Sequence, residues 1–130
     1  MKTKIVLEFV DAINCADIDK IYSLMTDDHL FVDSQDNRTT GKEKMKQAWI
    51  GYYQLFPDYK IEVKEIFKKG PLICLLGYAS GTYKGVENKS NDNYWRMPAA
   101  WRAEIKDNKI KEWQVYADNI IVMDIINKNK

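Results

Sequence analysis

Charge of one sign is missing from this chain: twenty Lys and Arg are set against nineteen Asp and Glu, for a formal net charge of +1. A protein that gains its affinity by neutralising phosphates carries a basic excess, so nucleic acid is not an expected partner. Cysteine is scarce. Cys15 and Cys74 stand in no CxxC or Cys/His spacing, and Cys74 lies in an apolar run where a thiol behaves as a small hydrophobe, so both read as reduced and structural. Histidine is scarcer still, since His29 is the only one and lacks the partners of a His/Asp metal site. No metal is expected. The chain also lacks a Gly-rich phosphate loop, a Ser/His/Asp arrangement and a Cys/His pair at usable spacing, so no cofactor is expected either. No apolar run approaches membrane-spanning length, and Met1-Lys-Thr-Lys leads into an amphipathic segment carrying Glu8 and Asp11 rather than an unbroken signal core. The expectation is a cytoplasmic protein with no membrane partner.

What is present is enough for a core. With 130 residues, 45% of them hydrophobic, the sequence predicts one domain over 1–130 that needs no metal or disulfide staple. Ile5, Val6, Phe9, Val10 and Ile13 follow helical spacing, as do Ile18, Ile21, Tyr22 and Met25 after a capping Asp17. Residues 29–34 read as a short strand, and Gln35 to Thr40 as an exposed loop. Thr40-Gly-Lys-Glu43 has the form of a capping box, followed by Met45, Ala48, Trp49, Tyr52, Tyr53 and Phe56 on one face of a third helix.

Beyond Pro57-Asp58 the period changes to two. Tyr59, Ile61, Val63, Glu65 and Phe67 alternate with residues that are mostly charged, as in a half-exposed strand. Residues 72–83 carry no charge, which predicts a strand covered on both faces near the centre of a sheet, with Gly77 and Gly81 marking a bend, a bulge or a close approach. Residues 84–93 read as a polar rim loop. From Pro98 to Asp118 two strands are joined by a tight Asp107-Asn108 turn, which brings Trp101 and Trp113 onto neighbouring strands where large aromatics can wall a pocket. The sequons at Asn37 and Asn88 mark turns or loops. The expected fold class is α+β: three N-terminal helices packed on a strongly curved, mainly antiparallel sheet, in a cone whose concave face holds an apolar pocket. Its mouth is expected near Asp33 and the 84–93 loop.

Three segments carry a family resemblance: Ala16-Asp-Ile-Asp-Lys-Ile-Tyr-Ser-Leu-Met-Thr-Asp-Asp28, Phe31-Val-Asp-Ser-Gln-Asp-Asn-Arg-Thr-Thr-Gly41, and Lys109-Ile-Lys-Glu-Trp-Gln-Val-Tyr-Ala-Asp118. In this element order the whole chain resembles the nuclear transport factor 2-like superfamily, and within it the SnoaL-like and ketosteroid-isomerase-like proteins. The resemblance implies the cone fold and a homodimer packed through the outer face of the sheet. It leaves the activity open, because this fold hosts isomerases, cyclases, dehydratases, epoxide hydrolases and proteins with no chemistry.

The same resemblance places Asp33 where the isomerases carry a general base, eight residues before Gly41. A carboxylate at the edge of an aromatic cavity is disfavoured in its charged form, which suits it to removing a proton next to a carbonyl. The plainer reading is that Asp33, beside Ser34 and Asp36, caps the strand-to-loop turn. The tyrosine and protonated aspartic acid that stabilise the isomerase enolate correspond here to Phe9 and Trp101, which disfavours steroid isomerisation. Epoxide hydrolase chemistry lacks its charged residues, since 72–83 has none and Val115 occupies the late aspartate position. For cyclase-like chemistry the resemblance offers Asp118 and His29. Strand alternation turns Asp118 away from the Trp113, Val115 and Ala117 face, and His29, just after Asp27-Asp28, reads as a solvated helix-end residue. Arg102 should face away from Trp101 into a surface ion pair, while Arg96 and Arg38 near loops could attract an acidic group.

The ligand-binding candidates are Trp49, Tyr53, Trp101, Trp113 and Val115, with the indoles and the phenol able to offer hydrogen-bond donors. The expected partner is a small hydrophobic molecule. The expected function is a SnoaL-like small-molecule enzyme of the isomerase, cyclase or dehydratase class, with Asp33 as acid/base on a carbonyl compound. The alternative is a non-catalytic ligand-binding or dimerisation domain.

Overall fold

A computed structural model describes residues 2–84 and 93–129. The rim loop expected at 84–93, and with it the Asn88 sequon, falls almost wholly outside the described residues. The chain runs α1 (Lys2–Asn14), α2 (Ile18–Ser23), β1 (Met25–Val32), β2 (Arg38–Thr40), α3 (Lys42–Leu55), β3 (Lys60–Lys69), β4 (Leu72–Thr82), β5 (Tyr94–Lys106), β6 (Lys109–Tyr116) and α4 (Ile120–Lys128). Six strands form one sheet in the order β2-β1-β6-β5-β4-β3, antiparallel at every step except the parallel β1–β6 pair. This is the α+β cone the sequence predicts, with an additional fourth helix at the C-terminal end.

The meander β3 to β6 follows from local chemistry. Asp107 and Asn108 both take positive φ, 53° and 61°, which is what a two-residue hairpin turn matching the sheet's twist demands. On β5 the alternation is strict: Trp95, Met97, Ala99, Trp101, Ala103 and Ile105 are buried and the residues between them are not. Gly77 is needed for a bulge. A Cβ there would sit 1.8 Å from the Glu62 carbonyl oxygen, at the place where the β3–β4 register slips between Val63 and Glu65.

Several local expectations change in the folded chain. Met25 leaves the helical run and opens β1, because it pairs with Ile110 while Ile110 N–H reaches the Leu24 carbonyl at 2.7 Å. The expected exposed loop at 35–40 ends in the short edge strand β2, whose Thr40 pairs with Leu30. The Thr40 capping box does not form: Gly41, at φ 104°, is the N-cap, and Glu43 accepts a hydrogen bond from the Tyr22 hydroxyl instead. β4 lies second from the edge of the sheet, with only its inward face sealed; Leu72, Cys74 and Leu76 stay half-exposed. α4 escapes the sequence pattern because its β-branched run looks strand-like. Val122 and Ile125, one turn apart, join the core.

The helices cover the concave face. α1 lies across β3, β4 and β6, and buries Val6, Phe9, Val10 and Ile13. α3 packs on α2, β1 and β2.

Candidate functional site

Between α3 and the concave face of the sheet the core does not close. A cavity of about 290 Å³ remains, at the small end of ligand sites, which start near 300 Å³. Rings make much of its wall, among them Trp49 from α3, Tyr59 just before β3, Trp95 and Trp101 from β5, and Trp113 from β6. Asp33, Ser34 and Asn119 supply a polar section where β1 and β6 end.

Of the residues predicted from sequence, Asp33, Trp49, Trp101, Trp113 and Val115 line this cavity. Tyr53 is not among the lining residues. Its hydroxyl donates to the Ile13 carbonyl at 2.6 Å, tying α3 to α1, and its ring stacks behind Trp49 at 5.6 Å and 26°. Helical spacing puts Trp49 and Tyr53 on one face, but that face is wide enough to meet both the cavity and α1. The sequence reading missed Trp95, Tyr59 and Tyr52, all of which line the cavity. The alternation Trp95, Met97, Ala99, Trp101 is the signal for Trp95, since β5 begins at Tyr94, four residues before Pro98.

The rings support one another edge-on. Tyr52 and Tyr59 meet at 5.0 Å and 89°, and Phe56 meets Trp95 at 5.6 Å and 88°. Burial pushes the Tyr52 and Tyr59 phenols well above their usual range, with the Trp101 indole beside Tyr59 offsetting only part of the effect. Both stay neutral. Trp49 Nε1 and Trp95 Nε1 are buried and have no hydrogen-bond partner among the described residues.

The Asp33 carboxylate is already engaged. Oδ1 accepts from the backbone N–H groups of Gln35 at 2.8 Å and Asn37 at 2.9 Å, and Oδ2 accepts from the Asn37 side-chain amide at 3.1 Å. This is the turn-capping geometry of an Asx residue. Next to it, the Asn119 amide donates to the Ser34 hydroxyl, joining the β1 end to the start of α4.

His29 is a correction. It is fully buried within β1, not solvated at a helix end, with Nδ1 2.8 Å from the Ile110 carbonyl oxygen. A carbonyl can only accept, so Nδ1 carries the proton, and Nε2 is left without a partner among the described residues. Burial lowers the pKa of the imidazole, opposed by the Ile110 carbonyl and Asp28. Phe9, 6.3 Å away, packs between this ring and Trp113, which it meets edge-on at 5.0 Å. Asp118 is absent from the cavity lining; its carboxylate accepts from Ile120 N–H at 3.1 Å as α4 begins. Arg102 pairs with Glu112 at 2.6 Å, Arg96 with Glu62 at 2.8 Å, and Arg38 with Asp36 at 3.5 Å. None of the three lines the cavity. Among the described residues no three His, Cys, Asp or Glu side chains gather in a metal-holding group, and no helix is long and apolar enough to cross a membrane.

Solved structures share this architecture. A candidate SnoaL-like polyketide cyclase from Shewanella denitrificans superposes with a TM-score of 0.82 at 14% identity, over 98% of this chain and 97% of that one. An LEH-like epoxide hydrolase of M. tuberculosis gives 0.79 at 13% identity, over 98% and 90%. A ketosteroid isomerase-like protein from Catenulispora acidiphila, solved with trimethylamine, gives 0.74 at 16% identity, over 86% and 83%. At these identities the likeness is one of fold. No curated protein matches the sequence significantly. The family model for the SnoaL-like domain matches residues 6–113, from the second turn of α1 to Trp113 at the cavity wall, and on that match the chain belongs to the SnoaL-like domain family.

Proposed function

We propose that this protein binds a compact, largely apolar molecule in the cavity between α3 and the sheet. The observation that carries the reading is the cavity itself, about 290 Å³ walled by four indoles and two phenols where a purely structural core would be filled. The three hydrogen bonds held by Asp33 favour a turn-forming role for it and ligand binding without chemistry. A second reading keeps Asp33 as an acid/base group on a carbonyl compound, because it is the one charged residue among the described residues lining the cavity.

Native mass spectrometry of the purified protein, followed by release and identification of any copurified molecule, tests the first reading. A stoichiometric apolar guest is expected, and a protein that neither retains nor takes up any such compound would overturn it. Turnover of that guest, abolished by Asp33→Asn with binding kept, would promote the second reading.

A homodimer through the outer face of the sheet is the assembly we propose, supported by the exposed Phe67 and Tyr116 beside half-buried Leu72 and Cys74. Free Cys15 and Cys74 fit a reducing, cytoplasmic setting.

A further inference from the structure

β6 stops short of the strand beside it. Its last pair with β5 is Tyr116 with Ala100, so residues 94–99 of β5 have β4 on one side and, among the described residues, no strand on the other. At the usual rise of a strand that overhang runs for about 20 Å. It carries Trp95 and Met97 into the cavity wall. The two ends of α4 place the helix along this gap. Its start is tied where β1 ends, by the Asn119 amide on the Ser34 hydroxyl, and its far end where β5 begins, by the Asn129 amide on the Asn93 side-chain oxygen at 3.1 Å. Its nine residues span about 14 Å of the overhang. The attachment is slight. Val122 and Ile125 are the buried side chains of α4, while Ile120, Ile121 and Met123 lie exposed. Among the described residues no backbone hydrogen bond joins residues 120–127 to another element. An element held by few buried apolar groups and no ladder opens before the fold does.

We propose that α4 is the door of the cavity, a helix that lifts from the 94–99 overhang about a hinge at residues 117–119 and admits a guest between β5 and the end of β1. This rests on the small-molecule pocket proposed above. Ala117 and Asn119 line the cavity, so the hinge is also part of its rim, and the bond from Asn119 to Ser34 is a latch across that rim. Asn129 with Asn93 is the second latch. Its fixed half belongs to the sheet, since Asn93 is 4% exposed and its amide donates to the Tyr83 carbonyl at 3.1 Å, just past β4. Both latches are side-chain amides. Releasing them breaks no strand pairing, so the sheet stays whole while the door is open.

Thiol labelling by iodoacetamide reads the door with no guest present, so a failed door leaves the pocket reading to its own test. Single cysteines are placed in a Cys15→Ser, Cys74→Ala background: Val122→Cys under α4, Met97→Cys on the overhang, and Ile110→Cys, fully buried on β6. In urea well below the unfolding transition, Val122→Cys and Met97→Cys should label together, about a hundredfold faster than Ile110→Cys and with little dependence on urea. Adding Asn119→Ala and Asn129→Ala should quicken both by about tenfold, the effect of two lost amide hydrogen bonds. Labelling of Val122→Cys at the Ile110→Cys rate and urea slope overturns the proposal, since α4 would then leave only when the chain unfolds. Fast labelling of only one of Val122→Cys and Met97→Cys overturns it too, as do rates that removal of the latches leaves unchanged. If a cysteine variant fails to fold, amide hydrogen exchange in the unaltered protein decides. Met123 to Ile126 should exchange by a route flat in urea and the β5–β6 ladder by a steep one, and a common slope overturns the door.

Discussion

Asn37 grips both oxygens of the Asp33 carboxylate, its backbone N–H donating to Oδ1 at 2.9 Å and its side-chain amide to Oδ2 at 3.1 Å. With Gln35 N–H also on Oδ1, the carboxylate closes the turn that leads from β1 to β2. Asp33→Ala should therefore cost about 1–2 kcal/mol of stability in urea unfolding, as losing a helix cap does. Asp33→Asn keeps an acceptor for both backbone amides but turns an amide toward the Asn37 amide, so a smaller loss is expected. Guest binding, followed by tryptophan fluorescence, should survive both. Loss of binding in Asp33→Asn with stability unchanged would show that the turn is not what this carboxylate serves.

The buried His29 makes stability depend on pH. In the unfolded chain its imidazole titrates near 6.5, while burial lowers that value in the fold. Below the unfolded value the unfolded state binds the extra proton first, so stability is full above about pH 6.5 and is lost as pH falls through the lowered folded value. His29→Gln should flatten the curve of unfolding free energy between about pH 5 and 8 while lowering its plateau. An unchanged slope would assign the acid sensitivity to the carboxylates.

Glycine substitutions separate a required glycine from a tolerated one. Gly77→Ala drives a methyl toward the Glu62 carbonyl, and the β3 bulge must move; a loss of about 3 kcal/mol is expected. Gly51→Ala, inside α3 with nothing within 4 Å of the new carbon, should instead stabilise by about 0.5–1 kcal/mol. Chemical denaturation of the two variants side by side checks both signs.

For the outer face, Phe67 and Tyr116 are 55% and 53% exposed in the single chain. If a second copy covers them, Phe67→Lys and Tyr116→Lys should shift the mass measured by light scattering from dimer to monomer. The monomer's own unfolding should change by no more than about 0.5 kcal/mol, as for other surface substitutions. A protein that is monomeric before substitution would remove the proposed assembly.

Much of the cone was legible in the residues themselves. The helical spacing of Val6, Phe9, Val10 and Ile13, the Asp17 cap on α2, the first half of the period-two run of β3 at Ile61 and Val63, and the Asp107-Asn108 turn are all local, and local sterics and amphipathicity dictate them; beyond the bulge after Val63 the alternation ends and Glu65 and Phe67 lie exposed. The cavity was legible as a set of large apolar side chains on inward faces, since Trp49, Trp101, Trp113 and Val115 do meet there. What was not legible was non-local. Periodicity says that a side chain is buried and is silent on what it is buried against.

The sequence alone determined which faces turn inward, where the chain reverses, and that the interior is rich in indoles and phenols, because those properties belong to neighbouring residues. The tertiary structure decided the rest. It brought β1 alongside β6 in parallel, which sealed His29 against the Ile110 carbonyl, residues 81 positions apart. It spent the Tyr53 hydroxyl on Ile13, fixed Asp33 with amides from its own turn, and buried the Trp49 and Trp95 indole N–H groups without a hydrogen-bond partner among the described residues. Each of these depends on how a rigid helix seats on a curved sheet, a fit that closes in some places and leaves a gap in others.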